Sequence, residues 1–376
     1  MKILIKNGLV LDGECRKLEE KDVLILDGTI VGTGNFDPTD ADVVIDASGK
    51  TVLPGLIDIH IHGAFGVGFG AEGDFDSMRI RLAREGITAV APTVSTRPAP
   101  MTVAAAKHII EEKRKNVGAR LERLHLEGPF LSPHRMGAMP YPALPCTVEN
   151  FESILSPVEG EVGIMTVAPE EEGAPQLVRM GVARGIHMSL GHTVSDHASA
   201  MAAIEAGARG STHTFNAMKP YDHRDTGVLG AVLTDDRVFC EMICDFVHLA
   251  PETVKLILRA KGGDRVVIID DAGPITGVPD GVYPSDGRVI TVKDRVARNE
   301  AGRLSCSCYT MADGARNLLK LGVSVPDIFR MGAYNPAVVL GIDGVAGSIA
   351  VGKRADILIC DGGLNVERVM INGVTV

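Results

Sequence analysis

TVLPGLIDIHIH (51–62) is an apolar run that ends in two histidines, and it is the starting point for the fold. Residues 51–59 predict a buried strand, because a continuous apolar run of this length suits a strand covered on both faces. His60 and His62 are two residues apart, so both side chains point to one face of an extended chain. Taken alone, the pair fits a structural role at a strand end as well as metal ligation.

Seven further apolar runs follow this stretch. They are ITAVAPTV (87–94), ERLHLE (122–127), GIMTVAP (163–169), IHMSLGH (186–192), GSTHTF (210–215), FCEMICD (239–245) and RVVIID (265–270). Amphipathic helices fit the intervals, for example at 101–116 and at 196–208, where Asp196 is a good N-cap. This alternation is typical of parallel sheets and predicts an α/β fold, a (β/α)₈ TIM-like barrel over residues 51–344.

The two ends of the chain differ from this pattern. Residues 1–50 predict short strands joined at the Asn-Gly and Asp-Gly pairs 7–8, 12–13 and 27–28, which favour tight turns. The C-terminal segment has the same character, with strand-like stretches at 355–361 and 366–373. Neither end has enough strands for a core of its own, so residues 1–50 and 345–376 are expected to form one small β-sandwich domain.

Composition limits the class of protein. The net charge of −10 argues against a general nucleic-acid binder. The seven cysteines are scattered and odd in number, which indicates reduced thiols and a cytoplasmic protein. We expect neither a signal peptide nor a membrane span, because the chain has no unbroken apolar segment of sufficient length.

Six polar residues that could hold a metal ion lie in or just after five of the predicted strands. They are His60, His62, Glu127, His192, His213 and Asp271. A barrel of this type carries its catalytic residues at the C-terminal ends of its strands, so the fold would bring all six together. Imidazole and carboxylate ligands suit Zn²⁺ or Fe²⁺.

Each of these residues also has a simpler explanation. A lone histidine is more often structural than a ligand, and Glu127 by itself could be a solvated loop residue. A metal-activated water needs a general base, and a carboxylate after the eighth strand could supply it. Asp271 is the first choice for that base, with the adjacent Asp270 as a competing choice.

The motifs of the chain together resemble those of the N-acetylglucosamine-6-phosphate deacetylase family within the amidohydrolase superfamily. They are PGLIDIHIHG (54–63), LHLEGPF (124–130), LGHT (190–193), THTFNAM (212–218), HRDTG (223–227), DFVHLAP (245–251), DDAGPITGVPDG (270–281), TMADGARNLL (310–319) and 335–361. They occur in the family's order over essentially the whole chain. The resemblance implies a metal-dependent hydrolase that removes the acetyl group of an N-acetyl amino-sugar 6-phosphate.

The resemblance also implies roles for individual residues. Glu127, His192 and His213 would hold one metal, and the His60–His62 pair would support a second metal, as in some members of the family. Asp271 would be the catalytic base and could contact metal. Other amidohydrolases bridge two metals with a carboxylated lysine after strand 4; no lysine is present there, so Glu127 would take that role.

For the substrate, the resemblance implies a phosphate site made from Asn216, Ala217, Arg224 and His248. The family's arginine reaches the site across a dimer interface, so a homodimer is implied.

Two departures from the family pattern concern the sugar end of the site. Met139 stands where the family has a substrate-contacting histidine, and the sequence at 304–307 is Leu-Ser-Cys-Ser where the family has Leu-Ala-Gly-Ser. Another N-acyl substrate, such as an N-acetylgalactosamine 6-phosphate or an N-acyl amino acid, is therefore an alternative. A non-catalytic scaffold is a further alternative, which the retention of all six residues disfavours.

Overall fold

The computed structural model describes residues 1–70, 73–139, 141–285 and 288–376, and its largest unit is a parallel β-barrel. The barrel strands are β1 Leu56–Ile61, β2 Ile87–Ser95, β3 Leu124–Glu127, β4 Val162–Val167, β5 His187–Leu190, β6 Gly210–Ser211, β7 Phe239–Ile243 and β8 Val266–Ile269. Each strand pairs in parallel with the next. The short strand Arg120–Leu121 also pairs with β2.

Backbone hydrogen bonds join the last strand to the first and bring the ends of β8 and β1 together. The N–H of Asp271 donates to the carbonyl of His60 at 3.0 Å, and the N–H of His62 donates to that of Ala272 at 2.7 Å. The predicted TIM-like barrel is thereby confirmed, and three of the candidate site residues, His60, His62 and Asp271, lie at the seam where it closes.

In the part of the chain that the structure describes, one helix comes after each barrel strand, and two more come after the last of these helices. They are α1 Phe75–Arg84, α2 Ala99–Lys113, α3 Val148–Leu155, α4 Ala174–Ala183, α5 His197–Glu205, α6 Gly227–Thr234, α7 Pro251–Lys261, α8 Met311–Lys320, α9 Val325–Phe329 and α10 Asn335–Leu340. Asp196 caps α5 as predicted, since its carboxylate accepts the Ser199 N–H at 2.7 Å. Short 3₁₀ turns span Pro38–Asp40 and Ser156–Val158, and a π-helical turn, Arg330–Tyr334, joins α9 to α10.

The two chain ends combine in one eight-stranded sheet outside the barrel. Its strands are Lys2–Leu11, Leu18–Leu26, Thr29–Gly34, Val43–Asp46, Thr51–Pro54, Ile357–Cys360, Val366–Ile371 and Val374–Thr375. A separate apolar cluster that includes Ile5, Val23 and Ile357 forms its core. A small β unit built from both termini is therefore present, as predicted.

Two details of the sequence interpretation were wrong. The first apolar run, 51–59, is two strands: Thr51–Pro54 pairs with Ile357–Cys360 in the terminal sheet, and β1 starts after Gly55. The pair at residues 7–8 forms no hairpin turn. Instead, the pair lies at a register shift within strand Lys2–Leu11. Asn7 has a left-handed φ of 62° there, a conformation that some β-bulges share with tight turns. The division into domains at residues 50 and 345 stays a prediction.

Between β8 and α8 lies a three-stranded antiparallel sheet that the sequence interpretation missed. Its strands are Gly281–Ser285, Arg288–Lys293 and Val296–Asn299. We call it the hairpin sheet. A two-residue ladder, Gly63–Ala64 with Val67–Gly68, follows β1. None of the helices in the described ranges has the length and apolar character needed to cross a membrane.

Candidate active site

The C-terminal ends of the barrel strands surround a cavity of about 220 Å³. Five of the six candidate metal and base residues line it: His62, Glu127, His192, His213 and Asp271. The sixth, His60, is fully buried directly beneath them. The structure thus brings together side chains that are up to 211 positions apart in the sequence, from His60 to Asp271.

Three of these residues have left-handed backbone conformations. His192, His213 and Asp271 have φ values of 49°, 30° and 50°. Such conformations are costly for residues other than glycine, and they concentrate at functional sites, where the surrounding structure enforces them. Here each one follows a barrel strand and turns a side chain toward the cavity axis.

Glu127, at the end of β3, is the centre of the cluster. Its Oε1 lies 2.9 Å from His192 Nε2 and 3.0 Å from His213 Nε2, and those two nitrogens are 3.0 Å apart. Its Oε2 lies 3.1 Å from His62 Nε2. The ligand atoms of Glu127, His192 and His213 lie close enough to share an ion, and those of His60, His62 and Glu127 form a second set of this kind.

Asp271 closes the cluster on the side of β8. Its Oδ1 lies 3.4 Å from His62 Nε2 and 3.6 Å from His60 Nε2. The second His60 nitrogen, Nδ1, hydrogen-bonds to Glu241 at 2.9 Å. In the same way, His62 Nδ1 lies 3.0 Å from Ser95 Oγ. Each ring is therefore held at its far nitrogen, with Nε2 directed at the two central carboxylates.

The hydrogen-bond geometry of the rings is suited to a bound cation. A carbonyl only accepts, so His192 Nδ1, 2.7 Å from the Arg135 carbonyl, carries the hydrogen. A neutral His192 then directs the Nε2 lone pair at the Glu127 carboxylate, and two acceptors face each other at 2.9 Å. His60 Nε2 is buried without a hydrogen-bond partner among the described residues. A divalent ion at the convergence point would satisfy these lone pairs, so the residues fit a metal.

The pKa directions in the cluster follow from the close contact between its imidazoles and its carboxylates. Burial works against the charged form of His62, but hydrogen bonds to Asp271 and Glu127 raise its pKa to about 9. Burial would raise the pKa of Glu127, yet the imidazoles, led by His60, hold it well below its usual value. Protons and a metal ion would therefore compete for the same lone pairs.

Two further residues of the site were missed because they lie inside apolar strands. Glu241 in β7 accepts hydrogen bonds from both His60 Nδ1 and the His213 N–H, at 2.9 and 3.0 Å. His125 in β3 packs edge-on against His60 and is held by the Ile59 carbonyl and by Thr166. Burial lowers the pKa of His125 well below its usual value, which keeps the ring neutral. A charged residue in the middle of an apolar strand, as in FCEMICD, was the available signal.

Asp270 and Asp271 have different environments although they are neighbours. Asp271 lines the cavity, and the nearby His60 and His62 lower its pKa against the effect of burial. Asp270 is buried beside Asp58 and accepts the Ala272 N–H at 2.8 Å. Burial raises the pKa of Asp270 to about 6. Of the two carboxylates, only Asp271 is among the cavity residues that the structure describes.

Most of the candidate substrate residues line the same cavity. These are Met139, Asn216, Ala217 and His248. The Asn216 N–H already donates to the His213 carbonyl at 2.8 Å, so the Ala217 N–H is the backbone donor that this step can offer a ligand.

His248 and Arg224, which the resemblance also assigns to phosphate binding, have contrasting positions. His248 Nδ1 pairs with Asp245 at 2.7 Å, and this pairing raises the pKa of His248 although burial opposes it. Arg224 is solvent-exposed in the loop before α6 and is not brought to the cavity of its own chain.

With this geometry in place, the chain matches the model of the amidohydrolase family over residues 51–376. It belongs to that family and is a hydrolase acting on amide bonds.

The names of individual relatives are more specific about the reaction than the family model is. The chain is 38% identical over 318 residues to the N-acetylglucosamine-6-phosphate deacetylase of Bacillus subtilis, covering 82% of this chain and 80% of the relative. It is 33% identical to the N-acetylgalactosamine-6-phosphate deacetylase of Escherichia coli O157:H7, covering 95% and 94%. A structure of the N-acetyl-D-glucosamine-6-phosphate deacetylase of Mycobacterium smegmatis, in complex with N-acetyl-D-glucosamine-6-phosphate, superposes with a TM-score of 0.90 at 32% identity, covering 100% and 98%. The resemblance inferred from the motifs is thereby confirmed.

Proposed function

We propose that this protein hydrolyses the acetamide of an N-acetyl amino-sugar 6-phosphate, with N-acetylglucosamine 6-phosphate as the favoured substrate. The products are acetate and the amino-sugar 6-phosphate. The observation that carries the proposal is the convergence of imidazole lone pairs on Glu127 and Asp271 at the floor of one cavity. The activities named for the similar proteins supply the substrate class.

The residues that would hold the metal divide into two sets. Glu127, His192 and His213 form the tighter site, and His60 and His62 form a second or auxiliary site around the same carboxylate. The nitrogen and oxygen ligands suit Zn²⁺ or Fe²⁺, with one or two ions per subunit. A divalent ion bound there supplies Lewis acidity, which lowers the pKa of water and polarises a carbonyl.

The protein's own part in the reaction is proton transfer by Asp271. Its lowered pKa keeps the carboxylate ionised at neutral pH, so it can accept a proton from the attacking water. As the tetrahedral intermediate collapses, Asp271 returns that proton to the leaving amine. Glu127 is held by imidazoles on several sides and is not free for this task.

At the phosphate end we propose recognition by Asn216, the Ala217 N–H, His248 and Arg224 of the partner subunit. Because Asp245 favours the charged form of His248, this imidazole can pair with a phosphate oxygen. The contribution of Arg224 requires a homodimer. A cytoplasmic location is proposed as well, since all seven cysteines are free thiols.

Acetate release from a panel of N-acetyl sugars, with and without the 6-phosphate, tests this function. We expect turnover of the phosphorylated sugars and loss of bound metal and activity together in Glu127→Ala. Glu252→Ala, an exposed residue of α7, is the matched control for loss of a carboxylate. Metal content by elemental analysis that stays unchanged in Glu127→Ala would contradict the metal site, and absence of turnover across the panel would contradict the function.

The alternative substrate is N-acetylgalactosamine 6-phosphate. Two observations favour it: Met139 and the segment 304–306 both line the cavity and both depart from the family pattern, and a relative of that name covers 95% of this chain. A thioether discriminates less strongly between hydroxyl epimers than a hydrogen-bonding imidazole does. Kinetics on the glucosamine, galactosamine and mannosamine derivatives, for wild type and Met139→His, separate the two substrates.

A further inference from the structure

The hairpin sheet places one arginine on its inner face. Along strand Arg288–Lys293, burial alternates: Ile290 and Val292 are buried, whereas Thr291 and Lys293 are exposed. Because side chains alternate between the faces of a strand, Arg288 lies on the same face as Ile290 and Val292. That inner face packs on an apolar cluster, where a charged residue needs a specific partner.

At the end of the hairpin, this inner face reaches the active-site cavity. Arg288 pairs in register with Ser285, and both residues line the cavity. Arg288 Nε is buried and finds no hydrogen-bond acceptor among the residues that the structure describes. Leaving a buried charged donor unpaired is costly, so the position is explained if an anionic ligand completes it.

The charge distribution of the cavity also favours an anionic ligand at this position. Arg288 is the one lysine or arginine among the described residues of the cavity wall, and Arg224 of the same chain lies outside it. The hairpin sheet is also tied to the proposed phosphate end. Ser305 donates its N–H to the Ala297 carbonyl at 3.1 Å, and its own carbonyl lies 3.4 Å from His248 Nε2.

We propose that Arg288 binds the phosphate monoester of the substrate within its own subunit. The inference rests on the proposed function, because it assigns a residue to the anionic end of that substrate. In this arrangement Arg288 contributes a guanidinium from the hairpin sheet, and His248 contributes an imidazole whose charged form Asp245 favours. Both groups belong to one chain, so they are present at the phosphate before any residue of a second subunit is added.

Steady-state kinetics on N-acetylglucosamine 6-phosphate and on unphosphorylated N-acetylglucosamine test this role. In Arg288→Gln, KM for the phosphorylated sugar should rise about tenfold or more, as expected for loss of a charge-assisted hydrogen bond. The kcat for that sugar and the KM for the unphosphorylated sugar should change little. Arg288→Lys should recover part of the affinity. Lys293→Gln removes the same charge from the outer face of the same strand and should behave like wild type.

Binding measurements separate failure of this inference from failure of the proposed function. Calorimetry with N-acetylglucosamine 6-phosphate, on Asp271→Asn with and without Arg288→Gln, reports affinity without turnover. If wild type turns over the phosphorylated sugar but Arg288→Gln changes neither KM nor affinity, or changes both sugars equally, Arg288 does not bind phosphate and the function stands. If no phosphorylated N-acetyl sugar binds to the protein, both proposals fall. Thermal unfolding of each variant identifies any loss that comes from misfolding.

Discussion

Two adjacent aspartates at the end of β8 allow the general base to be tested by a matched pair of variants. Asp271→Asn should lower kcat about a hundredfold or more, because an amide cannot accept the proton of the attacking water. Metal content should stay near that of wild type, since Glu127, His192 and His213 are intact. The measurement is kcat together with elemental analysis.

Asp270→Asn is the control, because this carboxyl faces Asp58 and the Ala272 N–H and not the cavity. It should retain kcat to within a fewfold, although the loss of a buried contact can lower the melting temperature. A wild-type kcat in Asp271→Asn, or a collapse of kcat in Asp270→Asn alone, would transfer the role of the base to Asp270.

Glu241 positions His60 from the side opposite the proposed metal. Glu241→Gln keeps an acceptor oxygen but removes the charge that holds His60 Nδ1–H and orients Nε2. Metal affinity should fall about tenfold to a hundredfold, as for other groups that orient metal-binding histidines. Competition with a metal chelator measures the change, and Glu252→Gln on the exposed face of α7 is the control. Equal affinity in wild type and Glu241→Gln would leave Glu241 with a purely structural role.

At the scale of elements, the strands of the barrel were predictable because they are covered on both faces. Buried parallel strands are continuous apolar runs, and the predicted run 87–94, for example, corresponds to β2, Ile87–Ser95. The same property concealed Glu241 and His125, whose neighbours in the chain are apolar. The hairpin sheet escaped prediction because its strands are short and half-exposed. The convergence of the site residues could be predicted from the fold. The histidine tautomers and the hydrogen-bond partners could not, because they depend on contacts between residues far apart in the sequence.

Gly55 separates the terminal sheet from the barrel, and its lack of a side chain has a testable consequence. A Cβ at this position would lie 2.0 Å from Thr88 Oγ1, and Thr88 is buried in β2. Gly55→Ala should therefore destabilise the fold by about 1–3 kcal/mol, the usual cost of overpacking. Gly344→Ala is the control, since its Cβ would meet no described atom within 4 Å. Thermal unfolding checks both variants. Equal melting temperatures would show that the junction relaxes to accept the methyl group.

At the scale of the whole molecule, the position of Arg224 makes the oligomeric state part of the active-site hypothesis. Its side chain is exposed on a loop outside the cavity of its own subunit, in a protein of net charge −10. If a second subunit brings Arg224 to the phosphate, Arg224→Ala should raise KM for N-acetylglucosamine 6-phosphate about tenfold or more and leave N-acetylglucosamine nearly unaffected. Light scattering should report a dimer for wild type and for the variant.

Mixing two inactive variants tests whether Arg224 acts across subunits. Consider a hybrid dimer of one Arg224→Ala subunit and one Asp271→Asn subunit. One of its two sites combines Asp271 from the first subunit with Arg224 from the second, and this site is complete. After subunit exchange, an equimolar mixture should regain about a quarter of the wild-type activity at low substrate concentration, because half of the dimers then carry one intact site. Each variant incubated alone is the control. A mixture no more active than the average of its two components, in a protein shown to exchange subunits, would place Arg224 outside the phosphate site. Arg288 and His248 would then remain as its cationic residues.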